Sequence, residues 1–379
     1  MPVPYHNHRA DEKHKLPAQP RSTDCRDSGK QLLSMKLRRE ILANVHRLVV
    51  KFGTGLLTDD KNRLSLPAIE RLARQVAALR ADGRQVVLVS SGAIAAGMSA
   101  LGFTKRPQEL PALQAAAAVG QGKLMAAYDK AFGKLGLNVA QILLTHDDLK
   151  SRHRHLAARN TIDTLLERGI VPIINENDTV AVDEIKFGEN DRLGALTAAL
   201  IDADLLIILS HVEGLLDRDQ HLVPVVTEIT HDIEALAGGT DRTTSVGGMK
   251  SKIAAAKICV RAGIPLIIAD GDRDGVITEL VAGTETGTIF LPKTGKLESR
   301  KRWIAFFQKP TAILIVDDGA RAALCDAGKS LLAKGVVRTT GKFAAGDVVS
   351  IHDSAGNEFA CGLVRAGSVI VHRDDLVVL

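Results

Sequence analysis

Aromatic residues are scarce in this chain. Phe, Trp and Tyr make up 3% of 379 residues, so stacking on nucleic-acid bases has few candidate side chains. Cysteine is scarce too. Cys25, Cys259, Cys325 and Cys361 form no C-x-x-C pair, which fits a reducing compartment and argues against a disulfide frame or a structural zinc site. No apolar run reaches the length that spans a bilayer. The first residues, MPVPYHNHRADEKHK, lack the apolar centre of a signal peptide. The expected location is the cytoplasm. No internal repeat is evident.

What the chain does have is enough apolar material for a large core: 45% hydrophobic and 25% charged residues. Its length allows two or three domains. The formal charge of +5 and the pI of about 9.0 invite a nucleic-acid reading, but the distribution weakens it. Residues 1–45 hold nine Lys/Arg against five Asp/Glu, and the remainder is close to neutral. These residues read as an N-terminal extension, disordered at first and helical from about Lys30 to Val45.

From Arg47 the pattern changes. RLVVKFG, RQVVLVSSG, NVAQILLTHD, GIVPIINEN, DLLIILSHVEG and IPLIIADG are short apolar runs, each ending in Gly or small polar residues. Buried parallel strands have this form. Between them lie helical patterns. Ile69, Leu72, Val76 and Leu79 recur at spacings of three and four, with Pro67 near the start and Gly83 beyond the end. Alternating strands and helices predict a three-layer αβα sandwich around a mainly parallel open sheet, residues 46–292. Residues 293–310 read as a charged linker. Residues 311–379, short alternating strands with Gly turns, predict a small β-rich domain. It holds seven Lys/Arg against eight Asp/Glu.

In open α/β sheets, ligands bind beyond the carboxyl ends of the strands. VVKFGTG puts Lys51 at such an end, with Gly53 and Gly55 after it: a phosphate cradle or a tight turn. It is not a Walker A loop. In SSGAIAAG, Ser90, Ser91 and Gly92 open a helix, either as an anion site or as an ordinary serine N-cap. Gly247 and Gly248 lead into a helix with an apolar stripe of Met249, Ile253, Ala256 and Val260. Lys252 falls in its first turn, where a cation opposes the helix dipole unless an anion offsets it. Lys250 and Lys257 read as solvent-facing. LSHVEG is either a nucleotide-facing loop or a plain strand exit.

The stretch IINENDTVAVDEIKFGEND, residues 173–191, is crowded with Asn, Asp and Glu. It fits a metal site, a turn or a pocket for a charged ligand, although the calcium-loop spacing is absent. If these loops converge, two lysines and several glycines surround a polyphosphate, and the Asn/Asp/Glu cluster beside them suits a zwitterion. Phosphoryl transfer needs mainly such positioning and charge neutralisation, often with magnesium.

Taken together and in order, VVKFGTGLLT, LVSSGAIAAGM, LQAAAAVGQGKLM, QILLTHDDL, IVPIINENDTVAVDEIKFGENDRLGAL, SVGGMKSKIAAAKICVRAGI and SRKRWI resemble the amino-acid kinase family, most closely its glutamate-phosphorylating members. The tail, with GKSLLAKGVV, GKFAAGDVVSI and VHRDDLV, resembles a PUA domain, shortened between CGLVRAG and SVIVHRDD. The resemblance implies ATP-dependent phosphorylation of the glutamate side-chain carboxylate, the first step of proline synthesis, with Mg2+ carried in on ATP and no metal site of the protein's own. It makes Lys51 and Lys252 the cations on the transferring phosphoryl group and Asp191 the residue that orients them. It assigns glutamate to Ser91, Gly92, Asn175, Asp178 and Asn190. It assigns ATP to Lys51, Gly53, Ser210, His211 and the loop Val246, Gly247, Gly248, Met249, Lys250, Ser251 and Lys252. It further implies a homo-oligomer, a dimer or tetramer, with proline as a feedback inhibitor. RNA is a weaker expectation, given the tail's charge.

The segment 173–191 then divides by role. Asp178 and Asn190 hold the amino acid and Asp191 serves the lysines, while VAVDEIKF forms a small hairpin between them. Three positions depart from the family pattern: His211 where an acid is usual, Leu216 where Tyr is common, and Val246 where a hydroxyl residue precedes the glycines. These bear on nucleotide affinity more than on chemistry. The competing readings are a kinase of the same fold acting on aspartate, acetylglutamate, carbamate or a nucleoside monophosphate, and an RNA-binding or regulatory relative without catalysis.

Overall fold

All six apolar runs are strands of one eight-stranded sheet. In chain order its strands are β1 (Arg47–Phe52), β2 (Gln85–Val89), β3 (Val139–Leu144), β4 (Val171–Glu176), β5 (Leu205–Ser210), β6 (Val225–Val226), β7 (Leu266–Asp270) and β8 (Thr288–Phe290). The computed structural model describes residues 36–59, 63–181, 189–238, 248–292 and 298–379. The spatial order is β3-β4-β2-β1-β5-β7-β8-β6. β3 through β7 run parallel, and the edge strands β8 and β6 run opposite to them. β6 and β8 are two and three residues long, too short to register as apolar runs.

The central strands are apolar along most of their length because both faces are covered. Leu48, Val50 and Phe52 of β1 enter one core, with Leu88 and Ile207 beside them. Val49 enters the other, with Val87, Leu206 and Ile208. The first face is covered by the helices Leu66–Ala81, Leu110–Gly133 and Val276–Val281. The second is covered by Arg152–Glu167, Glu189–Leu200 and Met249–Arg261. Ser65 caps the Leu66–Ala81 helix through Ala68 N, and Gly83 follows its end with a φ of 77°. The mainly parallel αβα sandwich is therefore as expected.

A helix over residues 36–43 also belongs to this core. Leu42 is fully buried in it, and Arg38 donates from Nη2 to the carbonyls of Thr284 and Thr286 at 2.9 and 2.5 Å.

Two helices that carry site residues touch backbone to backbone. A Cβ on Gly120 of Leu110–Gly133 would lie 1.7 Å from Ala93 O, and one on Gly97 of the Ala93–Met98 helix 1.9 Å from Ala116 O. Gly120→Ala must separate these helices. Overpacking of this kind costs about 1–3 kcal/mol, so its urea midpoint should fall measurably. An unchanged midpoint would show that the contact is looser than this.

The carboxyl-terminal sheet has the order β10-β14-β13-β12-β9-β11, built from β9 (Ala312–Val316), β10 (Leu331–Leu332), β11 (Val336–Gly341), β12 (Val348–His352), β13 (Glu358–Val364) and β14 (Val369–Val378). Only β9 and β12 pair in parallel. The segment SRKRW, charged in sequence, is largely packed. Ser299–Arg302 is a helix and Trp303–Phe307 a π-helical turn. Phe307 enters the second core of the eight-stranded sheet, while Ile304 packs with Val348, Cys361 and Val377 of the small domain. The buried Asp375 carboxylate takes Arg300 at 2.6 Å and Arg365 at 2.5 Å. Arg302 reaches Asp202 at 2.8 Å. The connecting segment is thus held on both sides.

Candidate functional site

Lys51 is the fifth residue of β1 and shares a face with Val49, toward the Glu189–Leu200 helix. That helix begins with Asn190 and Asp191 in its first turn. Asp191 takes Lys51 Nζ on Oδ1 at 2.5 Å and Lys252 Nζ on Oδ2 at 3.2 Å. Ser251 Oγ donates to Oδ2 at 2.7 Å. Asp191 is 0% exposed, and each lysine 6%. The cation in the first turn of Met249–Arg261 therefore has its anion, on another helix. Its position on the buried stripe of that helix follows from the same pairing.

Two buried cations share one buried acid, so the centre carries a net positive charge. Burial alone would raise the Asp191 carboxyl, but Lys51 and Lys252, with hydrogen bonds from Lys51 and Ser251, hold it below the ordinary carboxylate range. Burial pulls the Lys51 ammonium down, Asp191 opposes this and Lys252 adds to it. An anion entering beside the lysines relieves their repulsion. Asp191 is already committed to three donors, which leaves it poorly suited to hold a metal ion directly.

Next to Asp191 in sequence, Asn190 turns to a different cluster. Its Nδ2 donates to Ser91 Oγ at 2.8 Å, Ser90 O at 3.1 Å and Asn175 Oδ1 at 3.2 Å. Asn175, buried near the end of β4, donates to Gln121 Oε1 at 3.0 Å. Asn190 Oδ1 and Gln121 Nε2 are buried with no hydrogen-bond partner among the described residues. Asp178 is half-buried, and its charge opposes the fall that burial imposes on the Arg106 pKa. Neither serine of SSG caps the following helix. Gly92 is its N-cap, with no side-chain bond, and Ser90 Oγ instead meets Tyr128 OH at 2.9 Å. The serine N-cap reading is thereby replaced, because Asn190 and Tyr128 compete for these hydroxyls.

On the other flank, Gly53 N donates to Leu209 O at 3.1 Å, so that amide is committed within the fold. His211 follows Ser210 at the end of β5, and its Nδ1 lies 2.6 Å from Asp272 Oδ2. An acid missing at 211 is thus present in space, supplied from beyond β7. A Cβ on Gly55 would lie 2.2 Å from His211 Nε2, so the imidazole rests over Gly55 and would have to turn aside for a larger residue there. Leu216 forms an antiparallel bridge with Leu222. Gly248 and Lys250 are exposed and Met249 half-buried. Val246, Gly247 and the expected hairpin, apart from Ala181 and Val180, lie outside the described residues.

Ser251, which the resemblance assigns to the nucleotide loop, is also the third donor to Asp191. Two contributors are not legible as site residues. Gln114 and Gln121 sit seven apart on Leu110–Gly133; Gln121 accepts from Asn175 of the INEND segment at 3.0 Å, and Gln114 donates to Ala181 O, just beyond that segment, at 3.2 Å. Two glutamines at helical spacing in an alanine-rich run were the available signal. A cavity of about 380 Å3 lies beyond this segment, lined by His146, Asp148, Arg154, Glu176 and Arg192 among others. None of Lys51, Asp191 and Lys252 lines it, so it is beside the lysine centre, not on it.

The model of the amino acid kinase family matches residues 46–270, and that of the PUA domain residues 312–373. A glutamate 5-kinase from Pelobacter propionicus is 48% identical over 373 residues, covering 90% of this chain and 100% of the relative. One from Geobacter sulfurreducens is 47% identical with the same coverage. Among solved structures, a carbamate kinase from Giardia lamblia bound to AMP-PNP matches with a TM-score of 0.48 and 17% identity, over 66% of this chain and 100% of that one. A family model spanning most of the first sheet, and relatives matched from end to end, establish one conclusion: the chain belongs to the amino acid kinase family and carries a PUA domain after it.

Proposed function

We infer that this chain is a glutamate 5-kinase, transferring the γ-phosphoryl group of ATP to the side-chain carboxylate of L-glutamate. The products are L-glutamyl 5-phosphate and ADP, and the reaction opens proline biosynthesis. The observation that carries this reading is the junction of two clusters at consecutive residues. Asn190 belongs to the polar cluster with Ser91 and Asn175, and Asp191 belongs to the lysine centre. An acceptor held by the first therefore lies against a phosphoryl group held by the second. End-to-end similarity to glutamate 5-kinases supports glutamate as that acceptor.

A glutamate side chain is ionised at neutral pH, so no general base is required. One carboxylate oxygen bonds to the γ-phosphorus while the bond to the bridging oxygen of ADP breaks. Positioning and charge neutralisation supply the acceleration. In this proposal Lys51 and Lys252 lie on the phosphoryl oxygens, and Asp191 pairs with both ammonium groups and aims them. Mg2+ bound to the ATP phosphates would add further neutralisation. Asn190 Oδ1 and Asp178 accept from the substrate ammonium, while Ser91 and Asn175 fix Asn190. Ser210, His211 and the first turn of Met249–Arg261 flank the nucleotide.

A coupled ADP-release assay with glutamate, ATP and magnesium tests this reading. Absence of glutamate-dependent turnover at saturating substrates would overturn it. Asp178→Ala should raise the glutamate KM about tenfold or more with the ATP KM unchanged, as expected for loss of a charge-assisted bond. An unchanged glutamate KM would remove Asp178 from the pocket. The family resemblance carries further proposals: a dimer or tetramer, inhibition by proline, RNA contact by the PUA domain and a cytoplasmic location. Light scattering, proline titration, salt-dependent RNA binding and cell fractionation test them. Among the described residues no helix is long and apolar enough to cross a membrane.

A further inference from the structure

A glutamate zwitterion presents three charged groups to its site. The side-chain carboxylate is the nucleophile and belongs beside the lysines. The ammonium has Asp178 and the unpartnered Asn190 Oδ1. The α-carboxylate requires a receptor of its own, and neither lysine of the phosphoryl centre can serve both ends of the substrate.

One stretch supplies the missing chemistry. The Leu110–Gly133 helix is tied to the INEND segment by Gln121 on Asn175 at 3.0 Å, and to the chain just beyond it by Gln114 on Ala181 O at 3.2 Å. Gln121 uses its oxygen in that bond, and its Nε2 is buried without a partner. A buried amide N–H2 with no acceptor is uncommon in folded proteins and marks a place where one is supplied. In the loop before the helix, Arg106 is half-buried. Burial lowers its pKa, and the charge of Asp178 opposes that shift. A guanidinium whose charge is felt by the proposed ammonium-binding carboxylate supplies, with it, the opposite charges that complement an α-amino acid head group. Arginine also presents a planar fork suited to a carboxylate.

We propose that Arg106 and Gln121 form the α-carboxylate receptor of the amino-acid substrate, and so determine specificity for an α-amino acid over a plain carboxylic acid. The proposal rests on the glutamate-phosphorylating reading above. It adds residues outside the set assigned to the substrate from the sequence.

The test compares glutamate with 4-aminobutyrate, which is glutamate without the α-carboxylate. Each is assayed by ADP release, with 4-aminobutyrate measured as acceptor or as competitor of glutamate. Arg106→Gln should raise the glutamate KM about ten- to a hundredfold, while apparent affinity for 4-aminobutyrate changes less than about threefold and the ATP KM holds. Gln121→Met should shift the same ratio in the same direction by a smaller factor, and Arg106→Lys should recover part of the loss. Equal losses for both ligands would mean a merely structural role and overturn the proposal. An unchanged glutamate KM in Arg106→Gln would overturn it as well, with the reaction itself left standing. Absence of glutamate turnover by the unsubstituted chain would overturn the reaction reading, and this inference with it.

Discussion

Lys252→Ala is expected to lower kcat by about 10²- to 10³-fold, the loss typical when one preorganised charge or donor is removed from a transition state. Its ammonium lies 3.2 Å from Asp191 and is almost fully buried. No water shell is in place to substitute for it at low cost. The fold should persist, because Asp191 keeps Lys51 and Ser251. The loss should fall on kcat and on kcat/KM together, since the interaction is strongest when charge spreads over the transferring phosphoryl oxygens. Steady-state ADP release, with a thermal melt of the same preparation, decides it. A kcat within a few fold of the unsubstituted enzyme would remove Lys252 from the chemistry.

Asp191→Asn is expected to be the most destabilising single change in the site. It leaves two buried ammonium groups facing each other without the acid that pairs them. Removing one partner of a buried ion pair costs about 3–5 kcal/mol. For a domain of this size each kcal/mol moves Tm by about 2–4 °C, so a fall of roughly 6–20 °C is expected. The pH dependence gives an independent check. Lys51 and Lys252 hold the folded-state carboxyl of Asp191 below its unfolded value. Its contribution to stability is therefore full above the unfolded carboxylate pKa and is lost as pH falls through the folded one. The gap in Tm between Asp191→Asn and the unsubstituted chain should be widest near neutrality and narrow in acid. A gap that stays constant with pH would mean that packing, not charge, makes Asp191 necessary. Polyphosphate should restore part of the lost stability by supplying the missing anion.

The two cases show what could be read in advance. Lys252 was visible as an anomaly, because it is a cation in the first turn of its helix, where the dipole disfavours one. Asp191 was only one of several acids in a polar stretch, and its role came from the family resemblance. Glu176 and Asn177 stand in the same stretch but line the neighbouring cavity. Side-chain direction separated these residues, and periodicity does not encode direction inside an irregular loop.

The sequence by itself determined the sheet and its covering helices. Apolar runs ending in glycine or small polar residues can only be buried on both faces, and helices between them impose parallel order. It also determined that the carboxyl ends of those strands would collect lysines, glycines and amides. The tertiary structure alone decided other pairings: Asn190 on Ser91, Ser251 on Asp191, His211 on Asp272. It likewise decided that the charged segment after Glu298 is packed, since Asp375 buries its charge only because Arg300 and Arg365 meet it from either side. The physical reason is the same throughout. Secondary structure follows from local periodicity and chain sterics, whereas a buried charge is stable only beside a partner far away in the chain, and that partner is fixed by the fold.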